Sequence, residues 1–232
     1  MSNKAKWPRA VLLDFYGTVV EETGEPIARV CREIVRLSPK SPTMEEVSSY
    51  WVRVFGEACR NSHGDSFQCE RVLEQASIQE VLTHFNVDLD SASLTQMMYD
   101  YWTRPMIFPE SRSALAVCGL PVCLVSNVDD ADLASALNYT GLSFDMIITS
   151  EGCRAYKPRP EMFEKALSLL GISGDEVLHV GDSFSCDVRG AKALGIPVLW
   201  INPKGKAVPE DSQKPDYVST DLTGILDILN SS

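Results

Sequence analysis

Five short apolar runs recur along the chain, each rich in Val, Ile and Leu and bounded by residues typical of turns. Helix-like stretches separate the later runs. Continuously apolar strands that alternate with helices are typical of a parallel sheet covered on both faces. The sequence therefore predicts an α/β fold with a doubly wound parallel sheet. The predicted strands lie within 10–15, 121–127, 144–150, 176–182 and 196–202, and the predicted helices within 129–140, 160–171 and 185–195.

Residues 21–105 contain no clear strand. Four stretches of this interval place apolar residues three and four positions apart, which is the spacing of an amphipathic helix. Thr43 and Glu46 are spaced as a capping box at the start of the second stretch. The sequence thus predicts an α/β core formed by residues 1–20 and 106–232, with an all-helical insertion at 21–105.

Composition narrows the possible functions. A chain of 232 residues is long enough for one domain with a sizeable core, or for a core with a small insertion. The net charge of −11 argues against binding to nucleic acid or to an anionic membrane, and the apolar runs are too short to cross a bilayer. Seven cysteines without a CxxC pair favour reduced thiols over disulfides or a zinc site. We therefore expect a cytoplasmic protein with a small-molecule partner, and leave its oligomeric state open.

Polar residues stand at the carboxyl ends of several predicted strands. Asp14 ends the first run, Ser126 the second, Ser150 the third and Asp182 the fourth. In parallel sheets ligands bind at this edge. A carboxylate placed there can act as a nucleophile and form a covalent intermediate, so Asp14 is the candidate for that role.

Four motifs follow one another along the chain. They are DFYGT at 14–18, SN at 126–127, KPRP at 157–160 and GDSFSCD at 181–187. Their order, spacing and strand-end placement resemble the haloacid dehalogenase superfamily of aspartate-nucleophile hydrolases. The resemblance covers essentially the whole chain and implies a Rossmann-like core. The helical insertion after the first motif is similar to the subclass that carries a single helical cap.

The resemblance implies a role for each residue that would contact the substrate. Asp14 would be the nucleophile, and Lys157 would pair with Asp14 and with a phosphoryl group. The Ser126 hydroxyl and the Asn127 amide would bind phosphoryl oxygens, and Thr18 would orient the loop of the first motif. Cations and hydrogen-bond donors of this kind suit the dense negative charge of a phosphoryl group.

The resemblance also implies a magnesium site. Asp182 and Asp187, together with Asp14 and the backbone carbonyl of Tyr16, would hold Mg²⁺ through hard oxygen ligands. Three carboxylates in one cleft would otherwise repel each other and raise at least one pKa. Because Mg²⁺ is of far more use to a phosphate than to a departing halide, we expect Mg²⁺-dependent hydrolysis of a small phosphorylated metabolite.

Tyr16 favours a different reaction. In phosphatases of the superfamily the residue two after the nucleophile is a second aspartate, which protonates the leaving oxygen. DFYGT instead resembles the 2-haloacid dehalogenases, which carry tyrosine there, and a halide leaves without a proton. In those dehalogenases a serine typically takes the place of Asp182 and no metal is used. Metal-independent dehalogenation therefore remains the alternative, and a phosphorylated-ligand-binding protein with weak catalysis is a third hypothesis.

The cap would supply specificity. Trp51 and Arg53 lie on one predicted helix, and the dehalogenases use a cap arginine to bind the substrate carboxylate. We therefore predict that these two residues face the substrate. His179, inside an apolar run, is interpreted as a buried core residue and not as a catalyst.

Overall fold

A six-stranded, all-parallel sheet forms the centre of the protein. The structure is a computed structural model, which describes residues 7–22 and 25–231. The strands are arranged in the order β3-β2-β1-β4-β5-β6. Their bounds are β1 Ala10–Leu13, β2 Val122–Ser126, β3 Met146–Thr149, β4 Val177–Gly181, β5 Val198–Ile201 and β6 Tyr217–Ser219. The predicted doubly wound α/β fold is confirmed, while residues 1–6, 23–24 and 232 of the predicted domains lie outside the described residues.

Helices cover both faces of the sheet and also form the insertion. The core helices are α5 Ser111–Cys118, α6 Asp130–Thr140, α7 Ser150–Cys153, α8 Glu161–Leu170, α9 Arg189–Ala193 and α10 Gly224–Asn230. The insertion contains α1 Glu25–Leu37, α2 Met44–Asn61, α3 Glu70–Phe85 and α4 Ser91–Trp102. A π-helical turn spans Phe184–Val188. Within the described part of the chain, no helix is both long and apolar enough to cross a membrane.

The central strand β1 shows why its run is continuously apolar. Val11 and Leu13 pack into a cluster with α5, α6 and α10, whereas Leu12 packs on the other face with α8 and α9. Side chains alternate between the two faces of a strand, so a strand covered on both faces must be apolar at every position. All of β1 is buried, and Asp14 follows directly where the strand emerges at the carboxyl edge.

Helices α1–α4, called the helical insert below, have an apolar cluster of their own. Val30, Ile34, Ile78 and Met98 are among its buried members. The predicted capping box at the start of α2 is present, with Thr43 accepting from the Glu46 amide and the Glu46 carboxylate accepting from the Thr43 amide. The insert thus packs largely against itself, as the helical spacing of its apolar residues predicts.

The two chain segments that join insert and core run side by side. The Glu21 amide donates to the carbonyl of Met106 at 2.9 Å, and the Phe108 amide donates to the carbonyl of Val19 at 3.2 Å. The chain therefore leaves the core and returns to it at neighbouring backbone positions. The exact division into domains after residues 20 and 105 stays a prediction.

Candidate active site

Asp14 lies at the centre of the carboxyl edge of the sheet and is buried. One carboxylate oxygen, Oδ1, accepts a hydrogen bond from Lys157 Nζ at 2.6 Å. The other, Oδ2, accepts from the Thr18 hydroxyl at 3.2 Å. The structure thus brings Lys157 and Thr18 to the Asp14 carboxylate, while the roles predicted for the three residues stay predictions. Burial raises the pKa of Asp14, while the charge of Lys157 opposes that rise.

Lys157 joins two carboxylates. Its ammonium group donates to Asp14 Oδ1 at 2.6 Å, to Asp187 Oδ1 at 2.7 Å and to the carbonyl of Val125 at 2.8 Å. All three ammonium hydrogens thus have an acceptor. Burial disfavours the charge on Lys157, but Asp14 and Asp187 outweigh burial and raise its pKa. Lys157 therefore stays a cation and neutralises part of the negative charge of Asp14 and Asp187.

Asp187 is the most firmly held of the acidic residues. Besides Lys157, its Oδ1 lies 2.9 Å from His179 Nε2, and its Oδ2 accepts from the Ser183 amide at 3.0 Å. Burial works against the charged form, yet Lys157 and the His179 hydrogen bond lower the pKa of Asp187 to about 2. His179 is fully buried, as the sequence indicates, but it also positions an active-site carboxylate, which the sequence analysis missed.

Lys157 donates hydrogen bonds to Asp14 and Asp187 but not to the third carboxylate, Asp182. Burial and the neighbouring carboxylates, Glu22 and Asp14 first among them, raise the pKa of Asp182 to about 9. Its side chain packs against Gly17, where an added Cβ would lie 2.6 Å from the Asp182 carboxyl. Gly17 also has a φ of +80°, so both the backbone and the close approach require glycine there.

The acidic cluster fits a divalent cation. Oxygens of Asp14, Asp182 and Asp187 lie within 4.8 Å of one another, and Mg²⁺ prefers carboxylate oxygens. Asp187 already shares its oxygens with Lys157, His179 and the Ser183 amide, and Asp14 shares its oxygens with Lys157 and Thr18, so Asp182 is the freest ligand of the three. The magnesium site predicted from the sequence stays a prediction, as does the part of the Tyr16 carbonyl in it.

Tyr16 follows the nucleophile but its hydroxyl points toward the helical insert. It donates to the carbonyl of Trp102 at 2.9 Å. Burial and nearby carboxylates raise the pKa of Tyr16 above its usual value, so the hydroxyl keeps its proton. The side chain therefore joins the loop of the first motif to the end of α4, and it does not act as a second carboxylic acid beside Asp14.

Ser126 and Asn127 end β2 next to this cluster. Ser126 is buried. The Asn127 amide oxygen accepts from the Lys157 backbone amide at 2.7 Å, and its nitrogen donates to the Lys157 carbonyl at 3.2 Å. Asn127 thus holds the Lys157 backbone in place, while direct binding of a phosphoryl oxygen by Ser126 or Asn127 stays a prediction.

A cavity of about 340 Å³ opens between the core and the helical insert. Tyr16 and Asn127 form part of its wall, so it adjoins the residues that flank Asp14 and Lys157. Trp51 also lines it, while its predicted contact with a substrate stays a prediction. Arg53 lies elsewhere: it borders a separate surface depression, covers the ring of Tyr50 at 4.6 Å and pairs with Glu57 at 3.3 Å.

The cavity is acidic as well as aromatic. Glu22, Glu70 and Glu74 line it together with the rings of Trp51, Phe55, Tyr99 and Trp102. Burial is the main cause that raises the pKa of all three glutamates, to about 7 for Glu22, to about 8 for Glu74 and well above the usual range for Glu70. Of the three side chains Glu74 is buried, Glu70 is half-buried and Glu22 is exposed. None of these glutamates was singled out from the sequence.

The family model for haloacid dehalogenase-like hydrolases matches residues 8–195. The chain belongs to this family. Haloacetate dehalogenase H-2 of Moraxella sp. (strain B) is 32% identical over 148 residues, which are 62% of this chain and 65% of that protein. The aligned part is thus just under two thirds of the Moraxella protein.

Solved structures share the fold. L-2-haloacid dehalogenase from Xanthobacter autotrophicus superposes with a TM-score of 0.74 at 21% identity, covering 96% of this chain and 98% of the other. A haloacid dehalogenase-like (HAD) phosphatase from Thermococcus onnurineus has a TM-score of 0.61 at 26% identity, covering 95% and 97%. This haloacid dehalogenase-like hydrolase therefore resembles relatives of both reaction types in its overall architecture.

Proposed function

We propose that this hydrolase cleaves the carbon–halogen bond of a small organic halide, with Asp14 as the nucleophile. The observation that carries the proposal is the Tyr16 hydroxyl, which is committed to the Trp102 carbonyl at 2.9 Å. The position that holds a proton donor in the phosphatases therefore offers none to a leaving group. A halide leaves as an anion and needs no proton. The similarity to a protein named haloacetate dehalogenase supports the same reaction.

The arrangement around Asp14 accounts for both halves of such a reaction. A carboxylate oxygen of Asp14 forms a bond to the substrate carbon while the carbon–halogen bond breaks, and the halide takes the electron pair. Water then attacks the carbonyl carbon of the Asp14 ester, which releases an alcohol, a proton and the free carboxylate. Lys157, 2.6 Å from Asp14, favours the ionised nucleophile before attack and again after hydrolysis.

A second candidate is the Mg²⁺-dependent hydrolysis of a phosphate monoester. It is favoured by the close approach of Asp14, Asp182 and Asp187, and by the pKa of Asp182, which burial and the neighbouring carboxylates raise despite Lys157. Mg²⁺, when bound, would neutralise a phosphoryl group. In that reaction Asp14 attacks phosphorus, Lys157 pairs with the phosphoryl oxygens, and the best substrates have leaving groups that need little protonation.

The two candidates differ in product and in metal dependence. We would measure halide release from chloroacetate, 2-chloropropionate and 2-chloroethanol, and phosphate release from aryl and alkyl phosphates, each with EDTA and with Mg²⁺. Halide release that persists in EDTA is the expected result. Phosphate release that requires Mg²⁺, without halide release, would replace the first candidate by the second, and inactivity on both panels would favour a binding protein.

Isotope incorporation checks the nucleophile in the same preparation. In a single turnover with excess enzyme in H₂¹⁸O, the oxygen of the alcohol product comes from Asp14 and the label enters the protein. Label that appears directly in the alcohol during this first turnover would instead show attack by water and would remove Asp14 as the nucleophile.

A further inference from the structure

The cavity beside the active site has the features of a binding site for a positive charge. Carboxylates from the connector and from α3 face it, namely those of Glu22, Glu70 and Glu74. Among the described residues that line it there is no lysine or arginine. Arg71, the basic residue between the two helical glutamates, is engaged by Asp132 through two hydrogen bonds, at 2.6 and 2.9 Å.

The three glutamates are too dispersed to share one metal ion. In the described part of the chain, oxygens of Asp14, Asp182 and Asp187 all lie within 4.8 Å of one another, and no such group includes Glu22, Glu70 or Glu74. Their carboxyl groups therefore surround a volume and do not converge on a point, and a cation bound there would favour their ionised forms. A cation that fills this space is organic and larger than a bare metal ion.

The cavity walls supply the second requirement for an organic cation. The rings of Trp51, Phe55 and Trp102 line the same space, and aromatic faces attract ammonium groups, most strongly where water is excluded. The ring of Tyr99 already carries the guanidinium of Arg71, 4.0 Å from its centroid, so Tyr99 would contribute through its hydroxyl. Tyr99 is 2% exposed, and within the described residues its hydroxyl has no hydrogen-bond partner. A buried hydroxyl without a partner costs free energy, which a bound polar ligand would offset.

We propose that this cavity binds an alkylammonium group of the substrate, held by Glu22, Glu70 and Glu74 among aromatic rings. The reacting end of such a substrate would lie at Asp14, past Tyr16 and Asn127. This inference rests on the proposed function only in placing the reacting end of the substrate at Asp14. It also fits the lining of the cavity, where no described residue is an arginine or lysine and the neighbouring Arg71 is paired with Asp132.

Choline is the probe for the cavity, because it carries the cation and no leaving group. Its neutral carbon analogue 3,3-dimethylbutan-1-ol has the same shape. We would titrate both into the full-length protein and follow tryptophan fluorescence and heat, since Trp51 and Trp102 line the cavity. We expect choline to bind about tenfold or more tightly than the neutral analogue. Equal affinities, or no choline binding, would overturn the proposal.

Matched substitutions locate the site. Glu74→Gln and Glu70→Gln should each weaken choline binding about fivefold or more and leave the neutral analogue unaffected. Glu80→Gln, at an exposed position of the same helix, should change neither affinity. Thermal melting checks that each variant is folded. If Glu80→Gln weakens choline binding as much as Glu74→Gln does, the cavity is not the site and the proposal fails.

Turnover separates this inference from the proposed reaction. (2-Chloroethyl)trimethylammonium and phosphocholine share the cation and differ in the leaving group. Chloride release from the first supports both proposals, and phosphate release from the second supports the cation site with the second candidate reaction. Choline binding without either product supports the cation site and counts against the reaction. Halide release from 2-chloropropionate with no choline binding rejects the cation site and keeps the reaction.

Discussion

The surroundings of Asp14 and the cavity of the helical insert both bury carboxylates, but they balance the charge in different ways. Around Asp14, the ammonium group of Lys157 lies 2.6 Å from one carboxylate and 2.7 Å from another. In the cavity, Glu70 and Glu74 form no ion pair with a described residue, and burial raises the pKa values of both.

The difference shows which of the two regions awaits a partner. A buried charge with a paired counterion is compensated within the protein, whereas an unpaired buried carboxyl is destabilising or protonated. The proposed role of Asp14 requires an ionised carboxylate before any substrate arrives, and the charge of Lys157 favours that form against burial. A recognition cavity can instead leave its charge uncompensated until a ligand of the opposite sign binds.

The largest effect is expected at the nucleophile. Asp14→Asn should abolish turnover by more than about 10³-fold, because the amide cannot form the covalent intermediate. Steady-state rates on the best substrate measure the loss. Asp145→Asn, an exposed aspartate at the start of β3, serves as the control and should keep its activity. If the turnover rate of Asp14→Asn stays within tenfold of wild type, Asp14 is not the nucleophile and the contrast between the two regions has no bearing on catalysis.

Removing the counterion tests the paired region. Lys157→Met leaves Asp14 and Asp187 buried without a cation and should lower the free energy of unfolding by about 3–5 kcal/mol. The partly exposed pair of Lys192 and Asp216, 2.8 Å apart, is the matched comparison, and Lys192→Met should cost no more than about 1 kcal/mol. Urea denaturation measures both. Similar losses in the two variants would mean that burial adds nothing to the Lys157 interactions.

The unpaired region should respond to pH in the opposite sense from a salt-bridged acid. The pKa of Glu74 is about 8 in the folded protein against 4.5 ordinarily, so the folded state holds a proton that the unfolded state has lost. The stabilisation from this bound proton is complete below pH 4.5. It is lost as the pH rises to 8, and over that range the free energy of unfolding falls by up to about 1.4 kcal/mol per pH unit. Glu74→Gln should flatten this dependence, as urea denaturation at several pH values can show. An unchanged slope would indicate an ordinary pKa.

The smallest effect is expected where the two regions meet. Tyr16→Phe removes the hydrogen bond to the Trp102 carbonyl and should cost about 0.5–1.5 kcal/mol in the free energy of unfolding. Halide release should stay within a few-fold of wild type, because a halide needs no proton. A hundredfold loss of halide release in a stable Tyr16→Phe protein would show that the hydroxyl takes part in the reaction.

Much of the fold and the central cluster follow from local sequence. Strands covered on both faces leave continuous apolar runs, and strand ends leave polar residues, so Asp14, Ser126 and Asp182 could be placed at one edge. Strand β6 was not predicted, because its three residues are mostly exposed and follow a polar connector. Helices α5 and α10 were also missed, since both are short and give few turns of periodicity.

Contacts between residues that are far apart in the sequence were harder to predict. Glu70 and Glu74 are spaced like any solvated pair on a helix surface, and only the packing of α3 against its neighbours turns them inward. Glu22 faces them from a connector 48 positions away from Glu70. His179 looks like a core residue, and its contact with Asp187 depends on the π-helical turn after β4. Arg53 was predicted to face the substrate by its resemblance to the cap arginine of the dehalogenases, but it lies beside Tyr50 and Glu57, away from the cavity that Trp51 lines.

The side-by-side connectors have a consequence for how such proteins diversify. Because the chain leaves the sheet beside Met106 and re-enters beside Val19, a longer, shorter or different insert displaces no strand. Mutations can thus remodel the part of the cavity wall that the helical insert supplies while Asp14 and Lys157 stay unchanged. The hydrogen bond from Tyr16 to Trp102 is one contact that still couples the core to the insert. A different insert must supply another acceptor for the Tyr16 hydroxyl, or the tyrosine must be replaced.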